Sequence, residues 1–214
     1  MSLGRRALGG LLSCSLALGC ARTDRSASAG RHDSGSGPRD SSALSVVDVR
    51  LIGAEIEMVG MPMRERRLRE ALAGAREEFD YVLIDCPPSL GLLTINAFAA
   101  AGEVLVPIQC EYYALEGLGQ LVRNVDLVKR NLNDALEIST IVLVMYDART
   151  KLADQVADEV REHFGDKVCR QIVPRTVRLS EAPSFGQPII TFDPSSRGAI
   201  AYRQLAKEVS GGPS

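Results

Sequence analysis

YVLIDCPPSLGLLTINAF, Tyr81 to Phe98, is the stretch on which the reading of this chain turns. Four apolar or aromatic residues, Tyr81 to Ile84, run without alternation into Asp85, the pattern of a strand buried on both faces of a parallel sheet with a carboxylate at its end. Cys86-Pro87-Pro88-Ser89 then breaks the backbone, and Leu92 to Ala101 has helical composition, so Asp85 sits at the tip of a βα turn. Ligands collect at that edge of an open α/β sheet. An acid placed there commonly holds Mg²⁺ or its water beside phosphates. Its complement is a glycine-rich loop ending in Gly-Lys-Ser/Thr, whose N–H groups cradle phosphate while the lysine reaches the outer phosphates. The first lysine of the sequence is Lys129 and no Gly-Lys dipeptide occurs, so the stretch reads as half of a nucleotide site.

Composition bounds the rest. With 214 residues, 45% of them hydrophobic, and a mean hydropathy of +0.01, the chain is long enough for one globular domain. Formal charge is −2, yet residues 1–50 carry seven Arg against four Asp, a local +3 that leaves −5 for the remainder. The body is therefore not a bulk polyanion binder, and any nucleic-acid contact has to be a local basic patch. Five cysteines, odd in number and without a C-x-x-C pair, disfavour a disulfide framework and a zinc or iron–sulfur site. Cys86, Cys110 and Cys169 read as small buried thiols.

Organisation changes near residue 45. Residues 21–42 are rich in Ser, Gly, Arg and Asp and cannot build a core. MSLGRRALGGLLSCSLALGC, residues 1–20, has a lipoprotein-like pattern too short for a membrane span. An export signal contradicts a nucleotide-fold body, so residues 1–45 are expected to be a disordered or non-native leader. Residues 46–210 form the domain and 211–214 a tail.

From Val46 onward strand-like and helix-like segments alternate, the signature of α/β architecture. Arg64 to Glu77 predicts a charged helix with Leu68, Ala71, Leu72 and Ala75 on one face. Glu103 to Gln109 and Ser139 to Met145 predict buried strands. Between them, Ala114 to Leu132 places Leu115, Leu118, Leu121, Val122, Val125, Val128 and Leu132 at helical spacing, which is core packing. The strand 139–145 runs into Tyr146-Asp147-Ala148-Arg149-Thr150, gathering charge at a carboxyl edge before a helix from Lys151 to Phe164. A short strand over 168–172 leads to Pro174–Pro188, whose Pro, Ser and Gly predict a surface loop with at most one helical turn. Ser195 to Val209 closes the domain as an amphipathic helix with Ile200, Leu205 and Val209 on its apolar side.

Six ordered blocks carry a family resemblance: LIGAEIEMV (51–59), LIDCPPSLGLLTINA (83–97), VPIQCEYYALEGLGQL (106–121), MYDART (145–150), VPRTVRLSEAPSFGQPI (173–189) and DPSSRGAIAYRQLAKEV (193–209). Over residues 51–209 the chain resembles the C-terminal two thirds of a ParA/Soj chromosome-partitioning ATPase, a deviant-Walker P-loop protein. The resemblance implies a three-layer P-loop NTPase-like fold with a mainly parallel sheet. It also implies binding of ATP and Mg²⁺, a homodimer around two nucleotides, nonspecific DNA binding by that dimer, and a ParB-type centromere-binding partner that stimulates hydrolysis. Asp85 then corresponds to the Walker-B/switch II acid, acting on Mg²⁺ through water, with Pro87 and Pro88 stiffening the turn. Arg149 and Arg178 correspond to backbone-phosphate contacts that do not read sequence. Met145, Pro174 and Arg175 are candidates for the adenine pocket, and Glu111, Tyr112 and Tyr113 for the switch or dimer face. The expected location is cytoplasmic, at the nucleoid.

The departures from the family carry equal weight. There is no deviant Walker-A loop, no first strand and no switch I acid, and the two site lysines have no counterparts. The chain as written is expected not to bind ATP, because phosphoryl transfer depends on the phosphate cradle. A gap beside the Asp85 strand and unpaired strand edges are expected to cost solubility. A non-catalytic paralogue that keeps the DNA-facing or partner-facing surface is the alternative. A MinD-like membrane-cycling ATPase is a further one, disfavoured because AKEVSGGPS ends without a basic amphipathic helix.

Overall fold

The computed structural model describes residues 20–22, 54–79, 81–87 and 89–211. The elements are strand β1 (Cys20–Arg22), helices α1 (Ala54–Met58), α2 (Arg67–Ala71), α3 (Ala73–Glu78) and α4 (Leu92–Ala100), and strand β2 (Glu103–Gln109). They continue with α5 (Ala114–Asn131), β3 (Glu137–Val144), α6 (Lys151–Phe164), α7 (Val177–Glu181), α8 (Ile189–Phe192) and α9 (Arg197–Val209), with 3-10 turns at Arg64–Arg66, Gly165–Lys167 and Ala182–Phe185.

β2 and β3 pair in parallel from Glu103 opposite Glu137 to Gln109 opposite Val144, with a register shift after Val104. Their side chains alternate between two layers. Val104, Val106, Ile108, Ile138, Ile141 and Leu143 face a core built with Phe98 of α4, Leu118, Leu121, Val125 and Val128 of α5, and Val156 and Val160 of α6. Val142 and Val144 face the other way, with Cys169 and Val173, against Leu179, Tyr202, Leu205 and Val209. Helices thus cover both faces of a parallel pair, the α/β arrangement expected.

The local chemistry of each helix end explains its bounds. Thr150 caps α6 by accepting from Ala153 N–H and Ser196 caps α9 by accepting from Ala199 N–H. Gly198 lets α9 approach α7: a Cβ there would lie 2.7 Å from Leu179 Cγ. Buried Asn133 donates from Nδ2 to the carbonyls of Phe98 and Ala101, satisfying the end of α4 from the α5–β3 turn.

Several expectations are corrected. Tyr81–Ile84 is not a strand buried on both faces: Ile84 alone makes a β-bridge, and Tyr81 and Leu83 are 45% and 60% exposed. Val82 and Ile84 are half-buried and Cys86 is buried, so the segment is extended with one face covered. The helix expected over Arg64–Glu77 is broken into a 3-10 turn, α2 and α3, with a turn at Leu72. Leu68, Leu72 and Ala75 still lie half-buried, while Ala71 is exposed. In place of a strand over 168–172 there are isolated parallel bridges, Ile141 with Val168 and Tyr146 with Pro174. Glu208 takes up the ladder's role at this edge, accepting from the backbone N–H of Arg170 and Gln171 at 2.7 and 3.0 Å. Pro174–Pro188 is more helical than expected, because Thr176 caps α7 at Leu179 N–H and Pro183 opens the 3-10 turn that follows. Ile200, placed on the apolar side of α9, is exposed.

β1 pairs antiparallel with the start of β2, Cys20 opposite Leu105 and Arg22 opposite Glu103. It falls within the leader; the rest of residues 1–45, and Pro88, lie outside the described residues. Cys86, Cys110 and Cys169 are buried free thiols, as expected.

Candidate nucleotide and phosphate edge

The carboxyl ends of β2 and β3 bring three loops together. Cys110 N–H donates to the Val144 carbonyl at 3.1 Å, Tyr146 N–H to Val173 at 3.2 Å and Arg175 N–H to Tyr146 at 2.8 Å, so the loops after β2, after β3 and after Val173 leave from neighbouring points. Met145 turns the chain there with a left-handed φ of 56°, uncommon outside glycine and a form of strain that collects at functional edges. Its side chain packs against the layer of Val142, Val144, Cys169 and Val173. Pro174 lies beyond it, half-buried. It lines an open groove of about 330 Å³ between α9 and the 171–174 edge, together with Tyr146, Ile172, Arg197 and Ile200. Arg175 is exposed and pairs with Glu111 at 3.7 Å. The three adenine candidates therefore converge on one edge, with Met145 and Pro174 also serving as packing.

The β3 loop is a charged turn. Asp147 holds Arg149 in a fork, Oδ1 accepting from Nε at 2.9 Å and Oδ2 from Nη2 at 2.7 Å, and Oδ1 also accepts from the Arg149 backbone N–H. The hydrogen bonds from Arg149 keep the Asp147 carboxyl well below the usual carboxylate range. The Arg149 side chain itself stands 87% exposed. Next to it, Tyr146 O–H donates to Asp154, which raises the phenol above its ordinary value.

Arg178 is held differently. It pairs with Glu181 at 3.1 Å and with Asp193 at 3.3 Å, and its Cζ lies 5.7 Å from the centre of the Phe192 ring. The two arginines leave from bridged loops, but Arg178 also clamps α7 to the end of α8. On the β2 loop, Tyr112 and Tyr113 are exposed and meet edge to face at 5.3 Å.

Asp85 is exposed at the end of its extended segment, and Pro87 follows, also exposed. Partial enclosure raises its carboxyl above the ordinary value, against an opposing hydrogen bond from Cys86 N–H. No arginine or lysine among the described residues forms an ion pair with it. The loop after it is tied down: buried Thr94 donates to the Ser89 carbonyl at 2.6 Å, and Leu92 N–H donates to Glu55 Oε1 at 2.9 Å. Gly91 makes that approach possible, since a Cβ there would lie 2.5 Å from Glu55 Oε1. Asn96, also buried, accepts from Leu68 N–H and donates to Arg64 and Leu92 carbonyls. Sequence reasoning missed Glu55, Asn96 and Glu208, because each acts on backbone groups distant in the chain and no local pattern marks them.

Residues 37–138 match the family model of an AAA domain. The sporulation initiation inhibitor protein Soj of Bacillus subtilis is 57% identical over 162 residues, which are 76% of this chain and 64% of Soj. The chromosome partitioning protein ParA of Caulobacter vibrioides is 47% identical over 208 residues, 92% of this chain and 78% of that protein. The chain belongs to the ParA/Soj family of chromosome-partitioning proteins. Among solved structures, cobyrinic acid a,c-diamide synthase of Mycobacterium smegmatis with bound ATP analogue and magnesium superposes with a TM-score of 0.59 at 36% identity, covering 75% of this chain and 61% of that one. This ParA/Soj chain spans less than two thirds of Soj's length, 64%.

The ParA/Soj edge present here fits one part of a magnesium nucleotide and not the other. Asp85 offers an exposed carboxylate free of cationic partners among the described residues, suited to a metal ion or its water. Among the described residues no lysine-bearing phosphate cradle accompanies it: no lysine precedes Lys129, and the N-terminus of α4, next in the chain, already receives the Glu55 carboxylate. Among the described residues, no helix is long and apolar enough to cross a membrane.

Proposed function

We propose that this chain serves the segregation of chromosomes or plasmids as a ParA/Soj-type protein, binding DNA nonspecifically through Arg149 and Arg178 and working with a ParB-type centromere-binding partner. The observation that carries the reading is the bridge between the loop after β3, which bears Arg149, and the segment after Val173, which leads into α7 with Arg178. Arg149 is exposed beyond its Asp147 fork and Arg178 is partly so, which suits contact with backbone phosphate. Asp85, with Pro87 and Pro88 behind it, is the position for Mg²⁺ through water, and Met145, Pro174 and Arg175 border the adenine. Homodimerisation around nucleotide belongs to the same reading. Because a lysine-bearing phosphate loop does not occur in these 214 residues, the chain by itself holds no ATP tightly.

Salt-dependent binding to duplexes of unrelated sequence is the test. Each arginine replaced by alanine is expected to weaken all duplexes alike and to flatten the salt dependence by a slope of about 1. Loss confined to one sequence would sink the phosphate reading. A parallel titration with Mg-ATP is expected to show no saturable binding, and micromolar binding would overturn the statement about the cradle.

A further inference from the structure

Residues 170–203 carry five arginines against Glu181 and Asp193, a local charge of +3 in a chain whose total is −2. On this basic stretch an aromatic stack stands in the open. Phe185 and Phe192 lie face to face, with ring centres 5.0 Å apart and planes 27° from parallel, and the Arg178 guanidinium lies against the Phe192 ring. Phe185 ends the stack and is 65% exposed. The open face belongs to a ring whose other side is already ordered by the stack.

The presentation is rigid. Phe185 closes the 3-10 turn Ala182–Phe185, whose first residue is buried, and Gly186 follows in the left-handed region with φ 61°. Gly186 N–H donates to Pro183 and Gln187 N–H to Ala182, so both ends of the turn are tied. Arg178 is fixed from the other side by Glu181 and Asp193.

We propose that the outer face of Phe185 is a stacking platform for an unpaired nucleobase, so that this chain binds single-stranded nucleic acid as well as duplex. Base faces stack on aromatic rings without regard to sequence, and a positive surface alongside follows the strand's backbone. A flat ring already stacked on a second ring, with the Arg178 guanidinium against that second ring, offers that geometry, and the guanidinium favours a polyanion over an apolar protein segment. The proposal rests on the phosphate-contact reading of Arg178, which would hold the backbone beside the stacked base.

The test measures binding of the full chain to a labelled deoxythymidine oligonucleotide and to a random duplex, with and without Mg-ATP. Phe185→Ala is expected to weaken the oligonucleotide about tenfold and to leave the duplex unchanged, and Phe185→Trp to retain binding. Phe185→Leu keeps apolar contact with Phe192 but loses the flat face, and is expected to behave as the alanine variant. Wild-type affinity for the oligonucleotide in Phe185→Leu, equal loss on both ligands, or a changed oligomeric state in place of a changed affinity would each overturn the proposal. If the wild-type chain retains duplex but no oligonucleotide, the stacking platform alone falls. If it retains neither, the Arg149 and Arg178 reading falls with it.

Discussion

β2 and β3 on one side, and the Asp85 segment on the other, are all built on apolar runs, yet they are packed in opposite ways. β2 and β3 lie between two helical layers, with Val104, Ile141 and Leu143 wholly buried. Along 81–86 only every second residue is covered, and Tyr81 and Leu83 face outward. Composition is nearly the same, so the difference lies in partners. β2 has β3 beside it over seven residues, whereas among the described residues of the Asp85 segment Ile84 alone is bridged. An apolar run specifies burial only where other parts of the chain supply both a ladder and a cover.

The largest effect that separates the two regions is a core truncation. Phe98 is fully buried against α5 and the sheet, so Phe98→Ala should cost about 3–5 kcal/mol in urea unfolding. Leu83→Ala, on the open face, should change stability by less than about 0.5 kcal/mol. Equal costs would mean that the Asp85 segment is as well packed as the paired strands.

Alkaline pH tests the closed region by itself. Burial pushes the thiols of Cys110 and Cys169 up to about 11 from an ordinary 9.0. The folded state therefore favours the protonated thiol, and its contribution is whole below pH 9.0 and lost as pH rises toward 11. The loss should be on the order of 2 kcal/mol per thiol, read as a falling urea midpoint between those limits. Replacing both cysteines with alanine should flatten that limb, and an unaltered limb would place the alkaline sensitivity elsewhere. Tyr202, half-buried and pushed by burial from 10.0 up to about 12, adds a loss of its own that begins near pH 10 and runs on above the cysteine limb.

Asn133 sits where the closed region is stitched together. Removing its amide in Asn133→Ala leaves the Phe98 and Ala101 carbonyls without that donor and should cost about 1–3 kcal/mol. Asn133→Asp, which replaces the donor with an acceptor, should be worse, and a neutral result for both would show that water takes over the role.

Much of the closed region was legible because its signals are local. The strand over 103–109, the heptad-like spacing of Leu118, Leu121, Val125 and Val128, and the boundaries Lys151 and Phe164 appear where the sequence puts them, and the strand expected over 139–145 spans 137–144. Thr150 and Ser196 are caps that a short window reveals. Elsewhere the deciding contacts are distant in sequence. Nothing near Tyr81 says whether a neighbour pairs with it, so an unalternating run by itself does not separate a strand covered on both faces from one covered on one. Likewise the 168–174 edge depends on Glu208, 37 or 38 residues away. The site was legible as residue types at an edge, since Asp85, Met145, Arg149, Pro174 and Arg175 all fall on loops. What the sequence could not convey was how Arg149 and Arg178 are held.

Those two arginines give the smallest contrast in stability and the sharpest test of how the site is built. Arg149 is bound within its own turn, by a neighbour two residues away, and is almost wholly in solvent. Its replacement by alanine should leave the thermal midpoint unchanged while the Asp147 carboxyl, released from the guanidinium, returns toward its ordinary value and titrates at higher pH. Arg178 joins α7 to Asp193 and rests on Phe192, so Arg178→Ala should cost about 1 kcal/mol through exposed ion pairs and the ring contact. Arg178→Lys keeps the charge but loses the fork, and should recover part of any duplex affinity without recovering the midpoint. If Arg149→Ala lowered the midpoint as much as Arg178→Ala, the division between an arginine free to meet a ligand and one that also braces its loop would not stand.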